Sequence, residues 1–520
     1  MTMELRPYQA EAIQRIMDRG NLLLALTMGA GKTATAICAV RRLRRQRKVT
    51  SGVVFALKST KGQWVREIHK WDPRARVQII EGDKAWRVKG IRKAHQFDYS
   101  IIHYECLVND WEEIRQYLPL DFVIFDEITA LKGFTAKRTK HAKLMAPYCG
   151  IRIGLSGQPV ENRPEELFSI MEVIDKEVLG GFHKFDRTFI ERDHWGRPKK
   201  YKNLHLMQQV LGTAMYRKSR EDIKEWLPER IEIPMPVPLD DATMALHEFV
   251  RKDLAIAIDT ALALGVTGGK FDALAHYGRT DDMDSKGAMG QVMARMLAMR
   301  MLSSHPLLLK LSADAFDDGM ARWGSQYASD LKDAGLLDDL PQSTAKFDAL
   351  LEHIEEILSE DPRHKVVVFS YFKPMLAMIG TALTKAKTPW VKITGDVPAA
   401  KRDEYIVRFN TDPACRVFLS SDAGAYGVDL NQGSHLICYD LPWSAGALEQ
   451  RVSRIDRTNS AFDQILIGYM FGEDTIEERM FDMLQQKRKV ARAFIDGDFD
   501  ARSGTLSLDL ESLRDFVNAA

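Results

Sequence analysis

The 520-residue sequence predicts an α/β protein of two open parallel-sheet lobes, with helical insertions between and on them. Two stretches in which short β-rich apolar runs alternate with helical patterns point to it, one ending near residue 175 and one beginning after residue 346. Between them the rhythm gives way to a stretch rich in Ala, Met and Leu, which reads as helical.

In the first stretch the runs are 22–26, 53–57, 77–80, 100–102, 122–125 and 151–155. Those at 22–26, 53–57 and 122–125 are continuously apolar instead of alternating, as expected of parallel strands buried on both faces. The second stretch repeats this at 366–369, 391–393, 417–419, 436–439 and 465–469. The expected domains are a first lobe over 1–235 with a helical protrusion at about 178–225, a helical linker region over 236–345, a second lobe over 346–488 and a tail over 489–520. The segment Arg230-Ile-Glu-Ile-Pro-Met-Pro-Val-Pro-Leu239 reads as extended and punctuated by proline. Met293, Met296, Leu297 and Met301 fall at helical spacing and are read as core, while 265–270 and 279–286 read as loops.

Hydrophobic residues make up 45% and charged residues 28% of the chain, which places it with folded globular proteins and excludes a disordered polyelectrolyte. The formal net charge of +1 gives no bulk attraction to a polyanion, so any nucleic-acid surface must come from local basic patches. Cys38, Cys106, Cys149, Cys415 and Cys438 are widely spaced, so they indicate neither a cysteine zinc site nor a disulfide framework. No apolar stretch is long enough to span a bilayer and the opening residues lack a signal-peptide layout, so a cytoplasmic protein with no membrane partner is expected.

The sharpest local pattern is Thr27-Met-Gly-Ala-Gly-Lys-Thr33, directly after an apolar run and directly before a helix. Gly29, Ala30 and Gly31 let the backbone turn its N–H groups around phosphate oxygens, and the helix N-terminus adds partial positive charge. Lys32 is then placed to reach the β- and γ-phosphates of a nucleoside triphosphate, and Thr33 to ligate Mg2+. Leu26 stands where the general pattern has glycine. A second element, Asp121-Phe-Val-Ile-Phe-Asp-Glu127, sets two carboxylates at the C-terminal end of an apolar strand, the edge at which open α/β sheets bind ligands. Asp126 is the expected Mg2+ partner and Glu127 the group that orients and deprotonates water. Far downstream, Arg451, Arg454 and Arg457 fall three apart on a predicted helix and share one face. An arginine from a second lobe can stabilise charge on the transferring phosphoryl group, and a salt-bridged helix surface is the alternative.

In this order the elements resemble those of superfamily-two helicases, and within them the Swi/Snf-type DNA translocases, from Leu5 to about Arg488. Leu5-Arg-Pro-Tyr-Gln9 resembles the opening motif, which implies that Gln9 recognises adenine and that the nucleotide is ATP. Leu155-Ser-Gly-Gln-Pro-Val-Glu-Asn162 is similar to the coupling motif, with Ser156, Gly157 and Gln158 in it. Ser420-Ser-Asp-Ala-Gly-Ala-Tyr-Gly-Val-Asp-Leu430 is similar to motif V, placing Gly427 and Asp429 in coupling. Gln450, Arg454 and Arg457 match motif VI, which implies a nucleotide contact for Gln450 and makes Arg457 the arginine finger with Arg454 near the γ-phosphate. Glu166-Leu-Phe-Ser169, Arg217-Lys-Ser-Arg220 and His305-Pro306 resemble the Swi/Snf branch more than RNA helicases. The resemblance implies two RecA-like lobes and a DNA-facing edge carrying Lys58, Ser59, Thr60, His103 and Tyr104 on the first lobe, with Ser370 and Ser421 on the second. Motif II ends Ile128-Thr129, motif III has Gln158 for threonine, and motif VI continues Thr458-Asn459. These departures bear on coupling more than on hydrolysis.

Two basic runs, 41–48 and 197–202, are candidates for gripping phosphates, with a solvated helix end and a basic loop as the alternatives. The protrusion that holds the second run is a candidate surface for DNA or a protein partner. The expectation is a monomeric, DNA-stimulated ATPase moving on duplex DNA by backbone contacts, in a compact bacterial or bacteriophage form. A strand-separating helicase on branched DNA or RNA is the nearest alternative, and a non-catalytic DNA clamp that keeps a structural nucleotide is the alternative of another class.

Overall fold

A computed structural model describes residues 5–159, 164–192, 198–264, 287–320, 324–425, 427–496, 513–514 and 517. The expected loops at 265–270 and 279–286, residues 160–162 of the coupling motif, Arg197, Tyr426 and most of the 489–520 tail lie outside the described residues. The chain forms two compact units. One comprises Met1–Leu227, Asp456–Asn459 and Lys489–Thr505, and the other Pro228–Ile455, Ser460–Arg488 and Leu506–Ala520. Among the described residues no helix is long and apolar enough to cross a membrane.

The first unit holds a seven-stranded sheet made of β1 (Leu22–Leu26), β2 (Gly52–Ala56), β3 (Val77–Ile79), β4 (Tyr99–His103), β5 (Phe122–Phe125), β6 (Ile151–Leu155) and β9 (Met215–Lys218). Their order is β3-β4-β2-β5-β6-β1-β9, and each pairing is parallel. Every residue of β1, β2, β4 and β5 is buried, so the absence of alternation in the sequence has its cause in helices covering both faces. All C-terminal strand ends share one edge, and residues 27–33, 58–60, 103–104, 126–127 and 156–158 follow those ends. Six candidate segments scattered over the chain become neighbours along one rim for this reason, with 218–220 among them.

The expected protrusion is only partly helical. Helices Phe182–Phe189 and Leu204–Gly212 flank an antiparallel pair, β7 (Ile190–Arg192) with β8 (Pro198–Tyr201), and β9 is an edge strand of the main sheet.

The second unit holds a six-stranded parallel sheet. Its strands are β10 (Glu229–Val237), β11 (Val366–Phe369), β12 (Trp390–Ile393), β13 (Val417–Ser420), β14 (His435–Cys438) and β15 (Gln464–Gly472), in the order β10-β15-β14-β11-β13-β12. The boundary expected at residue 235 therefore moves to Leu227/Pro228, because β10 pairs with β15 over its whole length. Pro234 and Pro236 sit two apart on this edge strand, so both missing N–H groups face the same unpaired side and no ladder bond is lost.

The 236–345 region is not a separate domain. Its helices Asp241–Ala263 and Ala288–Ser304 share one hydrophobic core with β11, β13 and β14, and Met293, Met296 and Met301 are buried in it as expected. Arg300, also buried, donates to the Leu441 carbonyl at 2.9 Å and lies 4.8 Å from the Tyr371 ring and 5.5 Å from the Trp443 ring. A buried guanidinium with that carbonyl and those aromatic faces fixes the helical region to the sheet.

Candidate functional site

The glycine loop of the first unit leaves β1 and enters the helix Lys32–Arg45. Gly29 and Gly31 have φ of 77° and 74°, the left-handed region in which a side chain is strained. Space demands glycine as strongly: a Cβ on Gly29 would lie 2.3 Å from the Asp456 carbonyl oxygen and 3.2 Å from Arg457 Cα. Residues Asp456–Asn459 thus belong to this unit through the phosphate loop, and Arg220 holds them with an ion pair to Asp456 at 2.9 Å. The Thr458 hydroxyl donates to the Gly29 carbonyl at 3.4 Å.

The Lys32 ammonium donates to the carbonyls of Leu26 and Thr27 at 3.2 and 3.3 Å, so it lies over the loop as a phosphate-binding lysine must. Thr33 occupies the first turn beside it. Gln9 and Tyr8 brace the loop from below. The Gln9 amide donates to the buried Ala30's carbonyl at 3.3 Å while accepting from Arg6 N–H, and the Tyr8 hydroxyl donates to the same carbonyl at 3.0 Å. A Cβ on Gly31 would meet Gln9 Nε2 at 2.4 Å. The glutamine expected to read the base is therefore also a support of the phosphate loop.

Strand β6 lies between β1 and β5, so Lys32 and the two carboxylates straddle it. Its end carries Ser156 and Gly157. A Cβ on Gly157 would meet Met28 Cγ at 2.5 Å and Lys32 Nζ at 3.4 Å, and Gln158 N–H donates to Ser156 Oγ at 3.1 Å. Beyond β5, burial pushes the Asp126 carboxyl above its usual range, opposed by a hydrogen bond from the Trp64 indole and by the charge of Lys32. Trp64 Nε1–H donates to Asp126 Oδ2 at 2.8 Å, and the Tyr104 hydroxyl donates to the Asp126 carbonyl at 2.7 Å. Glu127 follows with φ 47° and ψ 59° and starts the short helix Ile128–Leu131. A non-glycine residue in the left-handed region holds backbone strain.

Several residues expected to face DNA are buried instead. Tyr104 is spent on Asp126, and His103 packs against Cys106 with Nδ1 3.3 Å from Sγ. Thr60 donates to the Leu57 carbonyl at 3.2 Å. In the second unit, Ser370 donates to the buried Asp440 and Ser421 accepts from Gly424 N–H at 3.3 Å. These side chains are buried and bonded within their own units. Lys58 and Ser59 are exposed on the edge as expected.

The arginine face is corrected too. The helix is Ala445–Val452 and ends before Arg454, so Arg451, Arg454 and Arg457 do not share a helical face. Arg451 is buried and structural, with Nε and Nη2 on Asp422 at 2.6 and 2.8 Å. Arg454, also buried, bonds the Gln450 carbonyl at 2.8 Å and the Val428 carbonyl at 3.4 Å, and its own carbonyl accepts from Leu430 N–H at 3.0 Å. Motif VI is thereby tied to the loop holding Gly427, which has φ 74°, and Asp429, whose carbonyl accepts from Asn410 at 2.9 Å. Gln450 is half-buried on the helix. Of the first basic run, Arg44 is held by Asp72 and Asp98 at 2.8 and 2.6 Å, and Arg41 donates to the Trp71 carbonyl. In the second run the Tyr201 hydroxyl donates to Glu165 at 3.0 Å.

The sequence missed Trp64 and the true task of Tyr104. A tryptophan on a helix after a strand reads as core, and only the position of Asp126 shows what its indole N–H holds. It also missed a half-buried ionic network in the second unit. Arg230 donates to Glu449 at 3.0 and 3.1 Å, Arg488 reaches Glu232 at 2.7 Å and Glu449 at 2.6 Å, and the Tyr469 hydroxyl donates to Glu232 at 2.9 Å. Glu449 is the neighbour of Gln450, so β10 and the helix Ile476–Asp496 hold the motif VI helix from its other side.

Residues 8–283 match the SNF2-related domain, and residues 345–459 match the helicase conserved C-terminal domain. The chain is similar to the SWI/SNF-related matrix-associated actin-dependent regulator of chromatin subfamily A containing DEAD/H box 1 of Xenopus tropicalis, at 24% identity over 98% of this chain and 52% of that protein. It is similar to DNA repair and recombination protein RAD54B of Gallus gallus at 24% over 98% and 56%, and to the ISWI chromatin-remodeling complex ATPase ISW1 of Saccharomyces cerevisiae at 23% over 95% and 40%. The chain thus spans about half the length of the curated relatives it matches. Among solved structures, the Sulfolobus solfataricus SWI2/SNF2 ATPase core in complex with dsDNA is similar over 99% of this chain and 97% of that one, with 23% identity and a TM-score of 0.41. With the SNF2-related domain matched over more than half of the chain and the helicase C-terminal domain following it, the chain belongs to the SNF2-related family.

Proposed function

We propose that this protein is an ATP-dependent motor that hydrolyses ATP to ADP and phosphate, is stimulated by DNA, and moves as a monomer on duplex DNA by backbone contacts. The observation that carries the reading is the rim of the first sheet, where Lys32, the Asp126–Glu127 pair and the segment of Arg457 against Gly29 come together. Lys32 binds the β- and γ-phosphates, and Gln9 takes the adenine. Thr33 and Asp126 offer Mg2+ a hydroxyl and a carboxylate, the hard oxygen donors it selects, and a half-buried carboxylate steadied by the Trp64 N–H and the charge of Lys32 fits a cation. Bound there, Mg2+ supplies charge neutralisation on the phosphate oxygens. Glu127 orients a water and takes its proton. Arg457 stabilises the charge on the transferring group.

DNA as the track is supported by the family match and by a relative named for DNA repair and recombination. Lys58 and Ser59 are the exposed groups on the edge, so binding is to backbone, tolerant of sequence and sensitive to salt, with about 0.9 log unit of affinity lost per log unit of salt for each phosphate neutralised. The deciding experiment compares ATP turnover without nucleic acid and with single-stranded DNA, duplex DNA and RNA at low and high salt, beside a triplex-displacement assay. Duplex DNA should stimulate most, and a triplex should be displaced without unwinding of a fork. Turnover indifferent to every nucleic acid at low salt refutes the motor. DNA-linked function that survives Glu127→Gln would make the protein a non-catalytic clamp.

A further inference from the structure

At the other end of the second unit's sheet, opposite the ends that carry Ser370 and Ser421, three potential ligands converge. Glu360 closes the helix Ala345–Glu360, His364 lies in the turn leading into β11, and His435 opens β14, the strand paired with β11 through Val366 and His435. One donor atom from each lies within 4.8 Å of the others. We propose that Glu360, His364 and His435 form a site for a single divalent transition-metal ion of the zinc class.

The donor set suits such an ion, since two imidazoles and a carboxylate are a recurring zinc set that leaves the fourth position to water. Metal–ligand distances of about 2.0–2.2 Å in a tetrahedron place the donors about 3.3–3.6 Å apart. Glu360 Oε2 is already 3.8 Å from His364 Nδ1, and the Glu360 side chain is exposed and free to swing the remaining fraction of an ångström. The two rings are 4.8 Å apart at 64°, and His364 also packs on Phe462. His364 Nδ1 is buried and makes no hydrogen bond, an uncompensated cost that a metal bond would remove.

His435 has the outer partner that metal-binding histidines usually have. Its Nδ1 is 2.9 Å from Ser434 Oγ, which accepts from Lys365 N–H at 3.0 Å and donates to the Lys365 carbonyl at 3.1 Å. With the serine hydrogen on that carbonyl, Nδ1–H of His435 is the donor to Oγ and Nε2 keeps its lone pair. The guanidiniums near the site are engaged elsewhere: Arg416 donates to the His364 and Asp361 carbonyls, and Arg363 is paired with Asp361. An ion here joins the end of one helix to the starts of two neighbouring strands.

The test uses the full chain without a histidine tag, stripped with a chelator, then titrated with Zn2+ and separately with Co2+ in the absence of nucleotide. One equivalent of each should bind, Co2+ should show the intense visible bands of low-coordinate geometry, excess Mg2+ should displace neither, and the unfolding midpoint of the second unit should rise with Zn2+. His364→Asn and His435→Gln should abolish the bands, and Ser434→Ala should weaken binding about 10- to 100-fold. Glu360→Gln changes only an exposed side chain and so separates ligation from folding: it should weaken Zn2+ binding and alter the Co2+ spectrum in a chain that unfolds normally. Pale Co2+ spectra like those of the aqueous ion, or stoichiometry and bands unchanged in folded Glu360→Gln and His364→Asn, overturn the site.

Discussion

Replacing Trp64 by Phe removes a single N–H from the site and leaves an aromatic ring in the core. That N–H donates to Asp126 Oδ2 at 2.8 Å. A hydrogen bond to a charged group contributes about 1.5–3 kcal/mol. If Asp126 holds Mg2+ only when oriented by it, kcat/KM for ATP should fall about 10- to 150-fold, since 1.36 kcal/mol is a factor of ten. The loss of packing should cost stability about 1–2 kcal/mol, less than truncation to alanine, so thermal unfolding shifts by a few degrees and the protein remains folded at assay temperature. The pH dependence separates orientation from packing. Burial already raises the Asp126 carboxyl, and the Trp64 N–H and the Lys32 charge pull it back. Without Trp64 it rises further, so the carboxylate that Mg2+ needs is lost at a higher pH. The acid limb of the pH–rate profile should therefore move to higher pH, and the Mg2+ concentration for half-maximal turnover should rise at neutral pH and recover toward pH 8.5. Steady-state turnover measured over a grid of pH and Mg2+ tests this. An unmoved acid limb with unchanged Mg2+ dependence, in a variant that hydrolyses ATP slowly, would show that Trp64 acts only through packing.

Gly29→Ala should weaken nucleotide binding at least about 10-fold, because the left-handed backbone costs about 1–2 kcal/mol and its Cβ meets the Asp456 backbone at 2.3 Å. Gly31→Ala carries the same backbone cost but meets the movable end of Gln9, so a fluorescent-nucleotide titration should find it the milder of the two. Arg457→Ala should lower turnover about 10³-fold or more with ATP affinity nearly kept, whereas Arg451→Ala, which strands Asp422 and the buried Asp440, should appear first as lost stability in urea unfolding. In the second unit, Arg488, Arg230 and Tyr469 outweigh burial and hold Glu232 down to about 2 from the ordinary 4.5. A depressed carboxyl stabilises the fold above its unfolded value, so this contribution, about 3 kcal/mol at most, is complete above pH 5 and lost as pH falls from 4.5 toward 2. Urea unfolding from pH 7 to pH 3 should show that loss, and Glu232→Gln should be less stable at neutral pH with a flatter acid limb.

The buried strands were legible because a strand with helices on both faces has to be apolar throughout. The runs read at 22–26, 122–125, 151–155 and 366–369 coincide with β1, β5, β6 and β11, and the other expected strands shift by a residue or a few at their ends. Edge strands carry no such signature. Met215–Lys218 has one fully buried residue in four, and the alternate prolines of Glu229–Val237 argue for an extended chain without naming its partner. The register with β15 is a long-range fact that moved a domain boundary. The phosphate loop and the two carboxylates were legible for another reason, since the chemistry needs particular groups within a few residues of a strand end. The DNA edge fared worse. A position near a sheet edge does not determine whether a hydroxyl points outward or into the core, and Tyr104, Thr60, Ser370 and Ser421 all turned inward. Helical spacing of three arginines misled because the helix stops at Val452, where Arg454 bonds the loop at Val428 and Leu430 instead.

Those inward-turned groups give the first unit a short mechanical path in place of the direct contacts expected of them. Lys58 and Ser59, exposed at the end of β2, stand immediately before the helix Lys61–Trp71, whose first turn carries Trp64 onto Asp126. Tyr104, at the end of the adjacent β4, fixes the backbone of the same aspartate, and β6 brings Gly157 against Met28 and Lys32 from the other side. If DNA binds as proposed, a phosphate drawn to Lys58 would act on a turn that is one helical segment away from the proposed metal ligand. The coupling needs no long relay of side chains, because parallel strands already bring these segments to one edge. On the proposed mechanism its sensitive element is Glu127, in a left-handed conformation between Asp126 and a short helix, where a small change of backbone angle would redirect the carboxylate proposed to meet the water.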